Sequence, residues 1–464
     1  MYHKKSHIHF VGIGGIGMSG IAKILKHQGY IISGCDVDIE QKNVRELLSI
    51  GCQVTLGHGS ELCHDKSIDV LVYSSAIKSS SPEITAAQQR GIPTIPRAMM
   101  LAELMRTKYS IAITGAHGKT TTTSMISHIL IEAKLDPTII IGGHLKNISE
   151  NAKLGKGDFL VAETDESDRS LLHLYPTLAI LTNIDLEHLE TYKDIDDIKN
   201  TFKQFLNNIP FYGKAFVCID DLEIQSILPI PHIKIVKFGI DCDADIQAKN
   251  IELHPSHSNY DVFKNEKFIG KIQVNMPGKH NIYNSLAAIA LCLDLDVVTF
   301  ETIAEALKSF NGVERRFSYH GTFKGAEIFD DYGHHPNEIL NILRVAKHRT
   351  KQKFHVVFQP HRFIRTEKLW DNFIDVFTQF NDQIEHLIIT DIYPAGEMPI
   401  EGITSQRLVE ELKLKNPNFK ISYVPIDQEF KDIIFQLDTS LMQDDLLLLL
   451  GAGRVNAIAA KLIQ

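Results

Sequence analysis

Ile111-Ala112-Ile113-Thr114-Gly115-Ala116-His117-Gly118-Lys119-Thr120-Thr121 decides how the rest of the chain is read. An apolar run ends in a glycine-containing turn. Lys-Thr then opens a helix-like stretch, Thr122 to Ala133. That order aims backbone N–H groups and one ammonium from a helix N-terminus, the arrangement that binds phosphate oxygens. The Thr120 hydroxyl falls where a phosphate-bound Mg²⁺ takes an oxygen ligand. Position 113 is Ile, so the first glycine of the G-x-x-x-x-G-K-[ST] pattern is absent. The competing reading is a strand-turn-helix with a surface lysine, and the rest of the chain argues against it.

A second glycine turn supplies part of that context. Gly12-Ile13-Gly14-Gly15-Ile16-Gly17 follows an apolar strand and opens a helix, with Gly12, Gly14 and Gly17 in the G-x-G-x-x-G positions. Asp36 ends the next strand, where an acid can hold a ribose hydroxyl. NAD is the default ligand of such a fingerprint. The turn itself accepts any pyrophosphate, so a nucleotide-sugar serves equally. Two nucleotide-type loops in separate blocks do not suit a simple dehydrogenase, because hydride transfer has no need of the lysine loop. They point to ATP-driven chemistry on a substrate held by the first loop.

Size and composition agree with a multidomain enzyme. A chain of 464 residues suggests about three domains. Hydrophobic residues at 44% and charged residues at 23% are those of a globular protein. The net charge of −9, with no Lys/Arg track, argues against nucleic acid as a partner. The six cysteines (Cys35, Cys52, Cys63, Cys218, Cys242, Cys292) form no C-x-x-C pair, so neither a zinc site nor a disulfide framework is expected, and reduced thiols in the cytoplasm fit best. Lys4 and Lys5 are followed by His7, His9 and glycines, which is no signal peptide. Leu446 to Leu450, the most apolar run, is far too short to span a bilayer, and membrane insertion is not expected.

The pattern of elements is that of parallel βαβ units. In the first block, His7–Gly12, Tyr30–Ser33 and Val70–Tyr73 read as strands and Met18–Gln28 as a helix. Residues 91–96 read as a break in regular structure before a helix at Ala98–Met105, with a linker near Thr107. In the second block, Phe159–Ala162 and Leu178–Thr182 read as buried parallel strands and Asn281–Leu293 as a helix. Phe211 to Val274 reads as a mixed or antiparallel insert. A third block starts near Arg315; there Ile328–Asp331, His355–Gln359 and Leu387–Thr390 carry polar residues at their C-terminal tips, where open parallel sheets bind ligands.

Several clusters fall at such tips. In residues 163–168 (Glu-Thr-Asp-Glu-Ser-Asp), Glu163 is the expected Mg²⁺ ligand opposite Thr120. His188 closes residues 182–188 and either binds a second metal ion or is structural. Asn281 and Asn284 either read a nucleobase edge or cap their helix. Arg315-Arg316-Phe317, residues 330–336 and residues 359–365 gather arginines, acids and histidines, and arginine forks bind carboxylate or phosphate bidentately.

In family order, residues 10–20, the loop Gly115–Thr121, residues 163–168, Thr182–Tyr192, Asp330–Pro336, Gln359–Arg365 and residues 393–397 resemble the Mur ligases. The resemblance implies an α/β fold of three domains: a Rossmann-like UDP-sugar-binding domain (1–106), a central P-loop ATPase-type domain (107–314) and a Rossmann-like amino-acid-binding domain (315–464). It implies an ATP-dependent ligase of peptidoglycan synthesis that joins L-alanine to the lactyl carboxylate of UDP-N-acetylmuramate through an acyl phosphate. Gly12, Gly14, Gly15, Gly17, Asp36, Ser74, Ser75 and Arg97 would meet the UDP-sugar. Gly115, Ala116, His117, Gly118, Lys119, Thr120 and Thr121 would cradle the ATP phosphates, with Asn281, Asn284, Arg316 and Asp331 on adenosine or its phosphates. Thr120, Glu163 and His188 would be the metal ligands, and Lys119, Glu163 and His188 the catalytic set. Tyr332, His334, Arg362 and Arg365 would receive L-alanine and the lactyl carboxylate. Ala116 stands where many relatives have Thr, and residues 451–455 (Gly-Ala-Gly-Arg-Val) depart from the family's usual ending. The rival expectations are a ligase of the same fold adding D-glutamate or a recycled tripeptide, and a nicotinamide-dependent oxidoreductase.

Overall fold

A computed structural model describes residues 6–463 except 60–62, 64, 75, 79, 143–151 and 351. Ser75, Lys4 and Lys5 lie outside the described residues. Three sheets follow one another along the chain. The first runs Gln53–Leu56, Ile31–Asp36, His7–Val11, Val70–Tyr73, Thr94–Pro96, all parallel. Residues 91–93 lie outside helix and strand as expected, but Thr94–Pro96 corrects the second half of the expected break, since it forms a strand. Proline is tolerated here because the strand is an edge, where a missing N–H breaks no ladder on its open side.

Among the described residues the second sheet has ten strands. Tyr109–Thr114, which feeds the phosphate loop, lies between Leu178–Leu181 and Phe159–Glu163. The runs Ile111–Ile113, Leu160–Ala162 and Leu178–Leu181 are buried throughout, as strands covered on both faces must be. Helices Lys119–Glu132 and Lys279–Asp294 pack against one another over this sheet. The stretch expected to be an insert is half a continuation: Lys214–Cys218 and Lys234–Gly239 extend the parallel sheet. Ile246–Leu253 still pairs parallel with Lys234–Gly239; beyond it Ser258–Lys264 and Lys267–Val274 are joined by antiparallel pairings.

The third sheet orders Ser318–Phe323, Ala326–Asp331, Leu446–Leu450, Phe354–Phe358, Ile384–Ile389, Ile421–Tyr423. The five leucines of Leu446–Leu450 form an interior strand, all buried. Each buried leucine contributes about 1.5–3 kcal/mol of transfer free energy before the entropy of ordering is subtracted. Among the described residues, no helix is long and apolar enough to cross a membrane.

The first two sheets share one continuous apolar cluster, reaching from Ile8 through Met105 to Ile111 and beyond. The third sheet has its own cores. Polar contacts join it to the rest: Arg362 Nη1 donates to Glu190 Oε1 (2.6 Å) and Asn337 Nδ2 to Asp185 Oδ2 (2.6 Å). The third unit therefore docks along a polar boundary that resembles a transient interface.

Candidate active site

The turn after Tyr109–Thr114 is held open by two glycines with positive φ, Gly115 (+127°) and Gly118 (+82°). A Cβ on Gly115 would stand 2.2 Å from Thr182 Oγ1. The neighbouring strand braces the turn: Ala116 N–H donates to Asn183 O (3.2 Å), and His117 N–H to Asn183 Oδ1 (2.8 Å). Helix Lys119–Glu132 starts at Gly118 with no side-chain cap, which leaves N–H groups at its mouth for an anion.

Lys119 Nζ donates to Gly115 O (2.6 Å), Ala116 O (3.0 Å) and Glu166 Oε1 (2.7 Å). Burial pulls its pKa down, but Glu166 and Glu187 outweigh that and raise it, so the ammonium stays charged. Thr120 Oγ1 donates to Glu163 Oε1 (2.8 Å), and Gly142 N–H to Glu163 Oε2 (2.7 Å). Burial raises the Glu163 pKa. His188, at φ +54°, sets Nε2 3.3 Å from Glu166 Oε1 and 3.5 Å from Glu187 Oε2. Burial lowers its pKa, but Glu166 and Glu190 prevail and push it up to about 9. Glu166, Glu187 and His188 present ligand atoms within 4.8 Å of one another, and Glu166 Oε2 and His188 Nδ1 are buried without a hydrogen-bond partner.

A second charged cluster lies on the boundary with the third unit. His117 Nε2 meets Asp185 Oδ2 at 2.7 Å, and its Nδ1 lies 3.6 Å from Glu338 Oε1. Burial lowers its pKa, but Glu187, Asp185 and Glu338 push it up to about 10. Arg316 Nη1 lies 3.5 Å from Glu338 Oε1. Asp331 accepts from Phe317 N–H and Gly333 N–H (both 2.7 Å), and burial lifts its pKa to about 7. Beside these groups opens a cavity of about 470 Å³, lined among others by Gly118, Tyr283, Asn281, Asn284, Arg316 and Asp331. That size suits a nucleoside. Neither asparagine caps its helix; the N-cap is Gly278, and Asn284 Nδ2 donates to Asn281 Oδ1 (3.2 Å).

The remaining expected residues form two further groups. His334, His361, Tyr393 and Arg365 make one: His361 stacks on Tyr393 at 5.4 Å, and Arg365 Nη1 donates to His361 Nδ1 at 3.2 Å. Burial lowers the His334 pKa to about 4, so its ring is neutral. Tyr332 stacks edge-on against His334 and faces Arg315 and Arg316. Arg362 is engaged by Glu190 instead. The other group lies on the first sheet, where Asp36 Oδ2 accepts from Gly14 N–H (2.8 Å) and Asp36 Oδ1 from Gln41 Nε2 (3.0 Å). Asp36 thus braces the glycine turn from below. Ser74 follows Val70–Tyr73, and its Oγ accepts from Ala76 N–H (3.3 Å). Gly15 has room around it, while a Cβ on Gly17 would meet Arg97 Nη1 at 2.5 Å. Arg97 in turn faces Asp165 Oδ2 of the second unit (3.7 Å).

Sequence reading passed over Asn183, Asp185, Glu166, Glu187, Asn337 and Glu338. The first four sit inside clusters already singled out, but their orientation depends on strand-tip geometry. Glu338 had a local signal: with His335 it closes a capping box at helix Pro336–Arg349.

Comparison with known proteins agrees with this architecture. Family models match successive segments: "Mur ligase family, catalytic domain" at residues 7–109, "Mur ligase middle domain" at 113–292 and "Mur ligase, glutamate ligase domain" at 315–453. The chain is 46% identical to a UDP-N-acetylmuramate–L-alanine ligase of Desulfatibacillum aliphaticivorans, covering 98% of this chain and 97% of that protein. It is also 46% identical to the enzyme of the same name from Geobacter sulfurreducens (98% and 96% covered). Its fold matches the crystal structure of the UDP-N-acetylmuramate–alanine ligase of Thermotoga maritima, with a TM-score of 0.79, 26% identity and 98% of each chain covered. The chain belongs to the Mur ligase family.

Proposed function

We propose that this Mur ligase couples ATP cleavage to amide formation between L-alanine and the lactyl carboxylate of UDP-N-acetylmuramate, a step of peptidoglycan synthesis in the cytoplasm. The full-length likeness to enzymes of that name supports the substrates. The observation that carries the chemistry is the Lys119 ammonium, held by two loop carbonyls and Glu166 at an uncapped helix start. We divide the chain into domains at 106/107 and 314/315; the succession of three sheets along the chain supports that division.

The reaction proceeds in two steps. The lactyl carboxylate attacks the γ-phosphorus of ATP; the bond to the bridging oxygen breaks and ADP leaves. Lys119 and the loop N–H groups take up charge on the phosphoryl oxygens. The amine of L-alanine then attacks the acyl carbon, and the tetrahedral intermediate expels phosphate to leave the amide. The adenosine occupies the cavity beside Asn281, Asn284, Arg316 and Asp331. Gly12, Gly14, Gly15, Gly17, Asp36, Ser74 and Arg97 hold the UDP-sugar. Tyr332, His334, Arg362 and Arg365 receive the two carboxylates.

Thr120 and Glu163 offer paired oxygens beside the loop, and His188 stands with Glu166 and Glu187 as a further donor set with unpartnered atoms. These donors fit Mg²⁺, which favours oxygen. When bound, the ion neutralises charge on the transferring phosphoryl group. Lys119 must exchange Glu166 for phosphate when ATP enters, and the third unit, docked on the central one through Asn337–Asp185 and Arg362–Glu190, supplies its groups from across that boundary.

The test is ADP release with UDP-N-acetylmuramate and ATP, with L-alanine, D-glutamate or a recycled tripeptide as acceptor. Turnover with L-alanine alone is expected. Lys119→Ala should lower it by about 10³-fold, the upper range for losing one such donor. Near-normal activity in that variant, or preference for another acceptor, refutes the reading.

A further inference from the structure

Behind the glycine turn of the first sheet lies a cluster that the ligase reaction does not use. We infer that His9, Cys35, His58 and Cys63 form a binding site for one thiolate-seeking divalent cation of the Zn²⁺ type. The spacing of the cysteines points away from such a site; the fold assembles it from the strands His7–Val11 and Ile31–Asp36 and the segment after Gln53–Leu56.

One ring nitrogen of His9 and the sulfurs of Cys35 and Cys63 lie within 4.8 Å of one another, and all three residues are buried. His58 Nδ1 stands 3.2 Å from Cys35 Sγ. Bond lengths of about 2.3 Å to sulfur and 2.0–2.1 Å to nitrogen put neighbouring ligand atoms of a tetrahedron about 3.6 Å apart. The Cys35–His58 pair is near that spacing, and His9, Cys35 and Cys63, within 4.8 Å of one another, need to draw in by at most about 1 Å. His58 is exposed, which gives an ion a way in.

The histidine is already set for the task. His9 is 0% exposed; its Nδ1 pairs with Ser33 Oγ (2.8 Å), while Nε2 is buried with no partner. Ser33 Oγ also pairs with His7 Nε2 (2.7 Å), whose Nδ1 pairs with Ser67 Oγ (2.8 Å). This chain of hydroxyls and rings fixes His9 through one nitrogen and leaves the other for a ligand, as the outer shell of a metal-bound histidine does. Glu83, 1% exposed, keeps Oε2 buried without a partner and acts electrostatically on Cys35. A buried carboxylate beside two thiols favours a cation among them.

Binding exchanges two thiol protons for the dication, with no change of oxidation state. The ion is structural. Cys35 O accepts from Gly12 N–H (2.9 Å) and Ile13 N–H (3.2 Å), so a metal on its sulfur anchors the strand tip that holds the glycine turn.

The experiment is titration of the full-length, reduced, chelator-stripped chain with Co²⁺ alone, then Zn²⁺. We expect one Co²⁺ per chain with sulfur-to-cobalt charge-transfer bands and tetrahedral visible bands, unaffected by Mg²⁺ and abolished by Zn²⁺. Cys63→Ser should lose charge-transfer intensity, and His58→Ala, at an exposed position that tolerates truncation, should weaken Co²⁺ binding about tenfold with unchanged circular dichroism. No sulfur-to-cobalt band in the reduced wild-type chain overturns the site. So does equal Co²⁺ affinity in wild type, Cys63→Ser and His58→Ala, or a Cys35–Cys63 disulfide found by peptide mass in a chain that takes up no metal once reduced.

Discussion

Gly118→Ala tests the phosphate loop at a single atom. Gly118 sits at φ +82°, and a Cβ there would lie 2.3 Å from Asn284 Oδ1. The left-handed backbone costs an alanine about 1 kcal/mol. The collision displaces the Asn284 amide, which accepts from Thr122 Oγ1 (3.3 Å) and donates to Asn281 Oδ1 (3.2 Å). Losing two such bonds costs about 2 kcal/mol, for a total of about 3 kcal/mol. The same Asn284 lines the nucleotide cavity, so ATP affinity should fall at least about tenfold, equivalent to about 1.4 kcal/mol. Denaturant unfolding and calorimetric ATP titration of Gly118→Ala, Asn284→Ala and the double variant measure both effects. Asn284→Ala removes the obstacle and the two bonds together, so the double variant should cost about 2 kcal/mol less than the sum of the singles. Additive costs, or wild-type ATP affinity in Gly118→Ala, would refute the reasoning.

Other perturbations separate the three units. Gly14→Ala puts a Cβ 2.1 Å from Gln41 Nε2 and 2.9 Å from Asp36 Oδ2, and should raise KM for the UDP-sugar about tenfold or more while leaving ATP affinity unchanged, as initial rates and calorimetry will report. Arg362→Ala breaks the contact with Glu190 across the polar boundary; both side chains are about a third exposed, so stability should move by less than about 1 kcal/mol while KM for L-alanine rises in the same rate assay. Stability should also depend on pH on both sides of neutrality. His334 is held at about 4 against 6.5 unfolded, so the unfolded chain binds the extra proton; the stabilisation, on the order of 3 kcal/mol, is present above pH 6.5 and lost as pH falls towards 4. His117 and His188, raised to about 10 and 9, contribute below pH 6.5 and lose their contribution as pH rises through those values. Urea unfolding from pH 4 to 10 should trace both limbs, and His334→Gln should reduce the acid one by that residue's share, since burial also lowers His280 and His386 to about 4.

Much of the architecture was legible because its signals are local. The apolar run Ile111–Thr114 ending in Gly115 and Gly118 announces strand, turn and helix whatever surrounds it, since only glycine takes those φ values without strain. The same holds for Gly12 after His7–Val11. Thr94–Pro96 was not legible, because proline at an open sheet edge is indistinguishable in sequence from proline in a loop. Lys214–Cys218 and Lys234–Gly239 were obscured by the antiparallel strands that follow them, since periodicity does not say which neighbour a strand pairs with.

What the sequence determines by itself is the set of chemical groups and the turns that present them: two glycine turns, one lysine with its following threonine, and polar residues at strand tips. What only the tertiary structure decides is company. Glu166, 47 residues from Lys119, becomes its counter-charge; Asp185 reaches both His117 and Asn337; His9 and Cys63 come to flank Cys35. The reason is physical: a turn depends on the dihedral freedom of a few adjacent residues, whereas an ion pair or ligand set depends on how distant strands register in a sheet, and that is settled by burial over the whole core.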